Sequence, residues 1–501
     1  MIRKKILKST TLALICFITS LTVNLMTNNK AQAQFTTSPG IAVGALHSLA
    51  LKSDGTVWTW GDNANGKLGI GTTTDSLVPV MVPGLQEIVA ISASDDYSMA
   101  LKSDGTVWAW GKNNSGQLGD GTKTTKKSPV QVQGLSSVIA IAQSDSTSFA
   151  LKSDGTVWVW GNNNYWRMGI GENNSSFSTT SPVIIPTLNN IVQIRAGLKN
   201  GIALRSDGTV WTWGENDDGQ LGYGTGGQSV KLATQVPNLS NVSSVAMGAS
   251  AMIVLKNDGT LWHSGNCNLS GDSTCVSTRS VLTQIPSMTN VIKVDLGHTS
   301  AFAIKDDSSL WAWGNNNVGA LGTGNGSGAY VRLPEQVVLS DLYTKLMGVT
   351  DVAGSLGHGM AIKNDGSIWS WGRNSSGQLG LGTKVTPYRY AIQTPGIIVF
   401  NQDIIDIGQT KNIEITQGTT KKFVFIPQVN GPVTITTGPW QTTADTVLNL
   451  YDGNNNLLAT NDDYNNTTYS GISFNVIAGQ TYIIEVHGFQ LSSVNCTLSI
   501  Y

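Results

Sequence analysis

Three groups of side chains in this 501-residue chain have types and spacings that could do chemistry. His47 and His358 each stand five residues before a lysine, Lys52 and Lys363, in matching contexts. Two imidazoles on neighbouring units are a pair that could ligate a metal. The corresponding places elsewhere hold Tyr97, Thr147, Asn200, Ala251 and Ser300, which favours a structural role; His298 is two residues out of phase and His263 follows Trp262. Cys267 and Cys275 lie eight apart in GNCNLSGDSTC. In an exported chain this spacing suits a disulfide stapling one loop, whereas zinc would need further ligands and no matching histidine pair lies nearby. Cys496 is then the odd thiol, expected to be buried.

The third group is Asp445, Asp452, Asn454, Asn456, Asp462 and Asp463, hard oxygen donors at a density that could hold calcium. The spacing is not that of an EF-hand, because Leu457 stands where glycine is needed and no glutamate closes the loop. Asx-rich turns account for the same residues. There is no nucleophile elbow, phosphate loop or His-Glu-x-x-His run. The expectation is a protein that is not an enzyme, with no cofactor apart from this calcium.

The elements that must position these groups come from one stretch, LKSDGTVWTWG at 51–61, whose near copies begin at Leu101, Leu151, Leu204, Leu255, Ile304 and Ile362. A repeat near 50 residues means a repeat architecture. Asp54-Gly55 between two apolar-alternating runs predicts a two-residue hairpin turn. That turn would set Leu51 opposite Trp58 and Leu49 opposite Trp60 on one bulky face, leaving Ala50, Val57 and Thr59 on the other. Each unit continues with a glycine-rich turn such as GKNNSGQLG at 111–119, a Pro-Val segment such as SPVQV at 128–132, and a strand such as VIAIA at 138–142. Four strands per unit, apolar on both faces, must be covered on both, which radial packing achieves.

Residues 1–33 read as a secretory signal, with Arg3, Lys4, Lys5 and Lys8, an apolar run from about Leu12 to Met26, and Ala31-Gln32-Ala33. Without it the chain carries a formal charge of −6 and no basic cluster, which argues against a nucleic-acid partner. A secreted or cell-surface, monomeric protein is expected.

The G-x-x-HSLAL-x-SDG-x-W-W-G-x-N-x-x-GQLG pattern resembles the regulator of chromosome condensation repeat family. The resemblance implies a seven-bladed β-propeller over 34–400, with the first and last blades sharing strands from both ends of the repeat region. The nuclear exchange activity of that family's founder needs a wedge and loop set not found here, and the Trp-Arg motif of a light-sensing relative is absent. The pattern is also similar to a secreted bacterial propeller whose rim loops inhibit β-lactamases.

Residues 401–501 alternate in short strands and read as a β-sandwich. DTVLNLYDGNNNLLATNDD at 445–463 and GISFNVIAGQTYIIEVHGF at 471–489 resemble the bacterial pre-peptidase C-terminal domain.

Partner-binding candidates are places where one unit departs from the others. Tyr165, Trp166 and Arg167 replace Ser-Gly-Gln, and aromatic plus arginine is the composition of interface hot spots. Tyr330 and Tyr388 each lie nineteen residues after Trp311 and Trp369, with Arg332, Arg389 and Tyr390 beside them. In the fifth unit Ser264 stands where the second tryptophan is expected. The reading is an exported binding propeller engaging another exported or surface protein, as an inhibitor or adhesin. The alternative is a carbohydrate or wall-polysaccharide binder using Trp166 or Trp440.

Overall fold

The computed structural model describes residues 37–501 except 173–174, 326–329, 400–402, 406, 416–419, 426, 428–429, 440–444, 453–456, 463–468, 478–481 and 489–493. The leader reading of 1–33 lies outside the described residues, as do Asn454, Asn456, Asp463 and Trp440. Among the described residues the chain is all-β, with three short 3-10 turns and no α-helix.

The first sheet shows why the repeat folds as it does. Its strands are β1 (Gly40–Val43), β2 (His47–Leu51), β3 (Val57–Gly61) and β4 (Ser76–Met81), paired antiparallel in that order. The β2–β3 turn has three residues, not two: Gly55 N–H donates to Lys52 O at 2.9 Å and Lys52 N–H to Thr56 O at 3.0 Å. Gly55 takes the left-handed position (φ 76°) of a type I turn with a bulge. Asp54 Oδ1 fixes it, accepting from Thr56 N–H at 2.9 Å and Thr56 Oγ1 at 2.6 Å.

The extra residue slips the expected register by one, and a one-residue slip exchanges faces. Leu51 pairs Val57 and Leu49 pairs Thr59, while Ser48 faces Trp60 and Ala50 faces Trp58. One face is therefore aliphatic, and the other sets tryptophan against serine or alanine. Both carry bulk, and each sheet buries its aliphatic face on its neighbour's tryptophan face: Leu49, Leu51 and Val57 pack with Ala100, Trp108 and Trp110.

Seven four-stranded sheets of this order lie between Gly40 and Ile398 among the described residues. Their first strands form a ring in which each touches the next, and β1 touches Val349–Gly354 of the seventh sheet. Closure does not share strands between the two ends of the repeat region, as the resemblance implied. The first sheet is built wholly from 40–81 and the seventh from 349–398. The seam is instead packed like any other, with Met360, Ile362 and Ile368 against Ala50, Trp58 and Trp60. Ser53 N–H to Val399 O at 2.7 Å adds a backbone tie.

A ring of hydrogen bonds runs through the same seams. Trp60 Nε1 donates to Gln378 O at 2.9 Å, Trp110 to Lys67 O at 2.8 Å, and Trp160 to Gln117 O at 2.9 Å. Trp213, Trp313 and Trp371 reach Arg167, Leu269 and Ala320 carbonyls in the same way. Each of these buried rings removes about 150–250 Å² from water, an upper bound of about 4–6 kcal/mol.

Beyond the ring, a five-stranded and a four-stranded sheet span Asp403–Ile500. They share one core that includes Ile413, Phe423, Phe425, Leu450, Ile484 and the buried Cys496.

Candidate functional site

In each of the seven ring sheets the loop from first to second strand and the loop after the third strand emerge at the same end, while the turns between second and third strands lie at the other. This follows from antiparallel pairing: His47 pairs Gly61, and Thr147 pairs Gly161. The residues in which units differ gather at the first end. Tyr165, Trp166 and Arg167 follow Gly161, Cys267 and Cys275 follow Gly265, Tyr330 pairs Asn315, and Tyr388 pairs Gly372.

Tyr165 and Trp166 occupy consecutive left-handed positions, with φ 61° and 56°. Trp166 stands where the second sheet has Gly116, whose added Cβ would lie 2.8 Å from the backbone of the next sheet's outer strand. Left-handed backbone costs a residue with a Cβ about 1–2 kcal/mol. Around this backbone the side chains divide. Tyr165 is 43% exposed, with Lys199 Nζ 4.2 Å and the Arg167 guanidinium 5.9 Å from its ring centre. Lys199 is held in turn by Glu215 at 2.7 Å. Trp166 is half-buried under Lys231, whose Nζ lies 5.3 Å from its ring centre.

Arg167 is not an exposed contact: it is buried, its Nε donates to Asn164 O at 2.9 Å, and its guanidinium lies 3.6 Å from Asp145. Its carbonyl also accepts from Trp213. It belongs to the scaffold beneath Tyr165, because its place in the repeat faces the next seam.

The other predicted patch divides similarly. Tyr330 is exposed, and Arg389 is exposed beside Tyr388 and Tyr390, whose rings meet edge to face at 6.2 Å. Arg332 is half-buried and donates to Cys275 O at 3.2 Å. Cys267 and Cys275 are joined, with Cα atoms 5.4 Å apart. Outer strands thus seat on the loop after the third strand of the preceding sheet, as Lys127 does against Gly66 and Arg389 against Gly319.

His47 and His358 serve the seams. His358 Nε2 lies 3.0 Å from Ser48 Oγ, and His47 Nε2 lies 2.8 Å from Ser98 Oγ, in each case on the following sheet. Burial drives both imidazoles towards the neutral form; His358 is lowered to about 3. Among the described residues no group of three or more His, Cys, Asp or Glu is placed to hold a metal. Of the candidate calcium residues, Asp445 precedes the strand Thr446–Asp452 and Asp452 ends it, about 20 Å away, while Asn454, Asn456 and Asp463 lie outside the described residues.

Sequence patterns did not reveal the charged network around the inner loops. Lys67 Nζ bridges Asp62 at 2.6 Å and Asp96 at 2.9 Å, and Lys112 reaches Asp96 at 2.9 Å. Although burial works against it, hydrogen bonds from Lys112 and Lys67 hold the Asp96 carboxyl below the ordinary range. His298 Nε2 lies 3.7 Å from Asp95, linking the sixth sheet to the second. The signal in retrospect is that Asp95, Asp96 and His298 follow the first strand of their units and Asp62, Lys67 and Lys112 the third, two loops that antiparallel pairing brings to the same end.

A closed succession of four-stranded sheets with variable loops gathered at one end defines a β-propeller. The chain belongs to the RCC1-like domain family, whose profile matches residues 19–350; regulator of chromosome condensation (RCC1) repeats also match at 349–378 and 365–407. Among solved structures it is similar to Prp20p of Saccharomyces cerevisiae, at 21% identity and TM-score 0.59 over 73% of this chain and 89% of that one. Human WBSCR16 matches at 20% identity and TM-score 0.59, over 68% and 93% of the two chains. Among curated proteins, 48 residues are 48% identical to the ultraviolet-B receptor UVR8 of Arabidopsis thaliana, covering 10% of this chain and 11% of that one. A 232-residue stretch is 27% identical to the human E3 ubiquitin-protein ligase HERC2, covering 46% of this chain and 4% of that one. The chain thus spans a small fraction of the curated relatives it matches. Prp20p itself is described with binding properties to Gsp1p and histones.

Proposed function

We propose that the protein is an exported binding protein: a signal at 1–33, a seven-bladed propeller over 34–400, and an accessory β-sandwich of pre-peptidase C-terminal type over 401–501. Its partner is another exported or surface protein, and the end of the ring that carries the unit-specific loops engages it. The observation that carries this reading is Tyr165, an exposed ring held between Lys199 and Arg167 on backbone that disfavours a side chain. Strained, exposed aromatics persist where the surroundings over-determine them, and such positions cluster at functional sites. Tyr330 and the Tyr388–Tyr390 pair extend the same end.

The carbohydrate reading draws less support, since the Trp166 ring is covered by Lys231. Calcium, if bound in the sandwich, would use Asp445 with Asp462, or Asp452 with the residues that follow it, not all six residues together.

The test is site-specific photocrosslinking in the full chain, with p-benzoylphenylalanine replacing Tyr165 or, as a control at the opposite end, Asp54. Exported proteins of the source supply the prey. One protein crosslinked through position 165 and not through 54 supports the reading; identical patterns from both positions, or retention on insoluble wall polysaccharide instead, would overturn it.

A further inference from the structure

The outer strand of each ring sheet has no fifth strand beside it, and such an edge is a template for pairing with another chain. One place along it, the residue before the pairing partner of Thr59 and its equivalents, is filled unequally by the seven sheets. It holds Pro79, Pro129, Pro182 and Pro334 in the first, second, third and sixth sheets, so no N–H is offered there. In the fourth and seventh it holds Ala233 and Ala391, whose N–H groups are spent on Gly169 O at 3.1 Å and Val338 O at 2.8 Å in the preceding unit. In the fifth it holds Leu282, whose N–H has no partner among the described residues.

Pairing within the sheet fixes how much of this edge is open. Ile285 N–H donates inward to Leu261 O at 2.8 Å and Thr283 pairs His263, so the backbone groups of Leu282 and Gln284 face outward. Above them the edge is closed, since Ser280 O accepts from Gly224 N–H at 2.8 Å. Below them Pro286 offers no N–H. The open stretch and its flanks are uncharged: 280–284 reads Ser-Val-Leu-Thr-Gln, Val281 is 60% exposed, and Arg279 is held by Asp272 at 2.7 Å. Lysines that keep edges apart, as Lys127 and Lys231 do on other outer strands, are missing here.

We propose that this edge pairs with the same edge of a second copy, making a two-fold dimer in place of the monomer expected from sequence. With the copies antiparallel about Thr283, Leu282 of each meets Gln284 of the other, and each such pair exchanges both of its N–H to C=O bonds. Thr283 of one copy then faces Thr283 of the other, a favourable cross-strand pair. An uncharged strand is its own complement: no like charges meet across the axis, and a charged partner segment would find no counter-charge. In the sheets with proline the same pairing would lack a donor.

The experiment is sedimentation equilibrium of the full chain from about 1 to about 200 µM, the range over which a small interface forms and dissociates. Wild type is expected to pass from monomer to dimer. Leu282→Pro is expected to stay monomeric and keep its cooperative melt, because Pro79, Pro129, Pro182 and Pro334 occupy the same place in other sheets. Thr283→Lys and Thr283→Glu each set like charges across the axis and should be monomeric alone, while an equal mixture of the two should dimerise. Wild type that stays monomeric throughout, which leaves the edge to a different protein, overturns the proposal. So does undiminished dimer in Leu282→Pro, dimer in either Thr283 variant alone, or no dimer in their mixture. If Leu282→Pro loses its melt, the two Thr283 variants carry the test.

Discussion

Ser264 Oγ lies 3.2 Å from the carbonyl oxygen of Gln220, making with a hydroxyl the inter-sheet bond that a tryptophan indole makes in the other six sheets. The bulk has crossed the ladder. Ser264 pairs Met252, where Ser48, Ser98, Ser148, Gly201, Ala301 and Gly359 face tryptophans. Ser264→Trp alone should overpack the seam and cost about 1–3 kcal/mol. Adding Met252→Gly should recover most of it, and urea melts of the two singles and the double measure that coupling.

The closing seam should be no weaker than an internal one. Trp60→Phe and Trp160→Phe each remove one indole bond, to Gln378 O and Gln117 O, while Ser48 and Ser148 still donate to those carbonyls at 2.8 and 2.7 Å. Both should lose about 1–3 kcal/mol. A Trp60 variant that melts in two steps, when the Trp160 variant melts in one, would mean the seam opens separately.

The Cys267–Cys275 bridge closes a short loop that supports Arg332 through Cys275 O. Chain entropy assigns such a loop about 2–3 kcal/mol. The double serine variant should therefore melt at lower temperature. Cys496, buried and with its thiol pushed up to about 11, should resist alkylation in the native protein, which mass spectrometry reads directly.

Stability should fall as the solution is acidified below about pH 6.5. His358 titrates near its ordinary value when unfolded but at about 3 in the fold, through burial first and Arg373 second. Between those values the unfolded chain binds the extra proton, so stability is full above the unfolded value and declines towards the folded one. From pH 7 to 4.5 this one imidazole should account for about 2–3 kcal/mol. Comparing His358→Gln with wild type isolates it from carboxylates that titrate in the same range. A loss equally steep in both would assign the effect elsewhere.

Tyr165→Asn should leave stability within about 1 kcal/mol, since asparagine tolerates the left-handed backbone that tyrosine occupies at φ 61° while the cation contacts of the ring are lost. Affinity for the crosslinked partner should fall at least tenfold. Unchanged affinity in a surface-binding assay would remove Tyr165 from the interface.

The sequence by itself determined the repeat, its length, the four strands in each unit and the Cys267–Cys275 pairing, because hydrophobic alternation and turn residues act over a few positions. It did not determine the register. Asp-Gly admits both two- and three-residue turns, and which strand residue faces which tryptophan depends on a single residue that propensity does not count. Nor could local pattern separate Tyr165 from Arg167: both read as contact residues, yet one projects from the loop and the other lies against the next sheet. Only the closed ring decided that, since it buries the residue at the seam and leaves its neighbour exposed. The same closure brought Asp95 and His298, some two hundred residues apart, to opposite sides of one axis, a proximity set by the geometry of seven packed sheets.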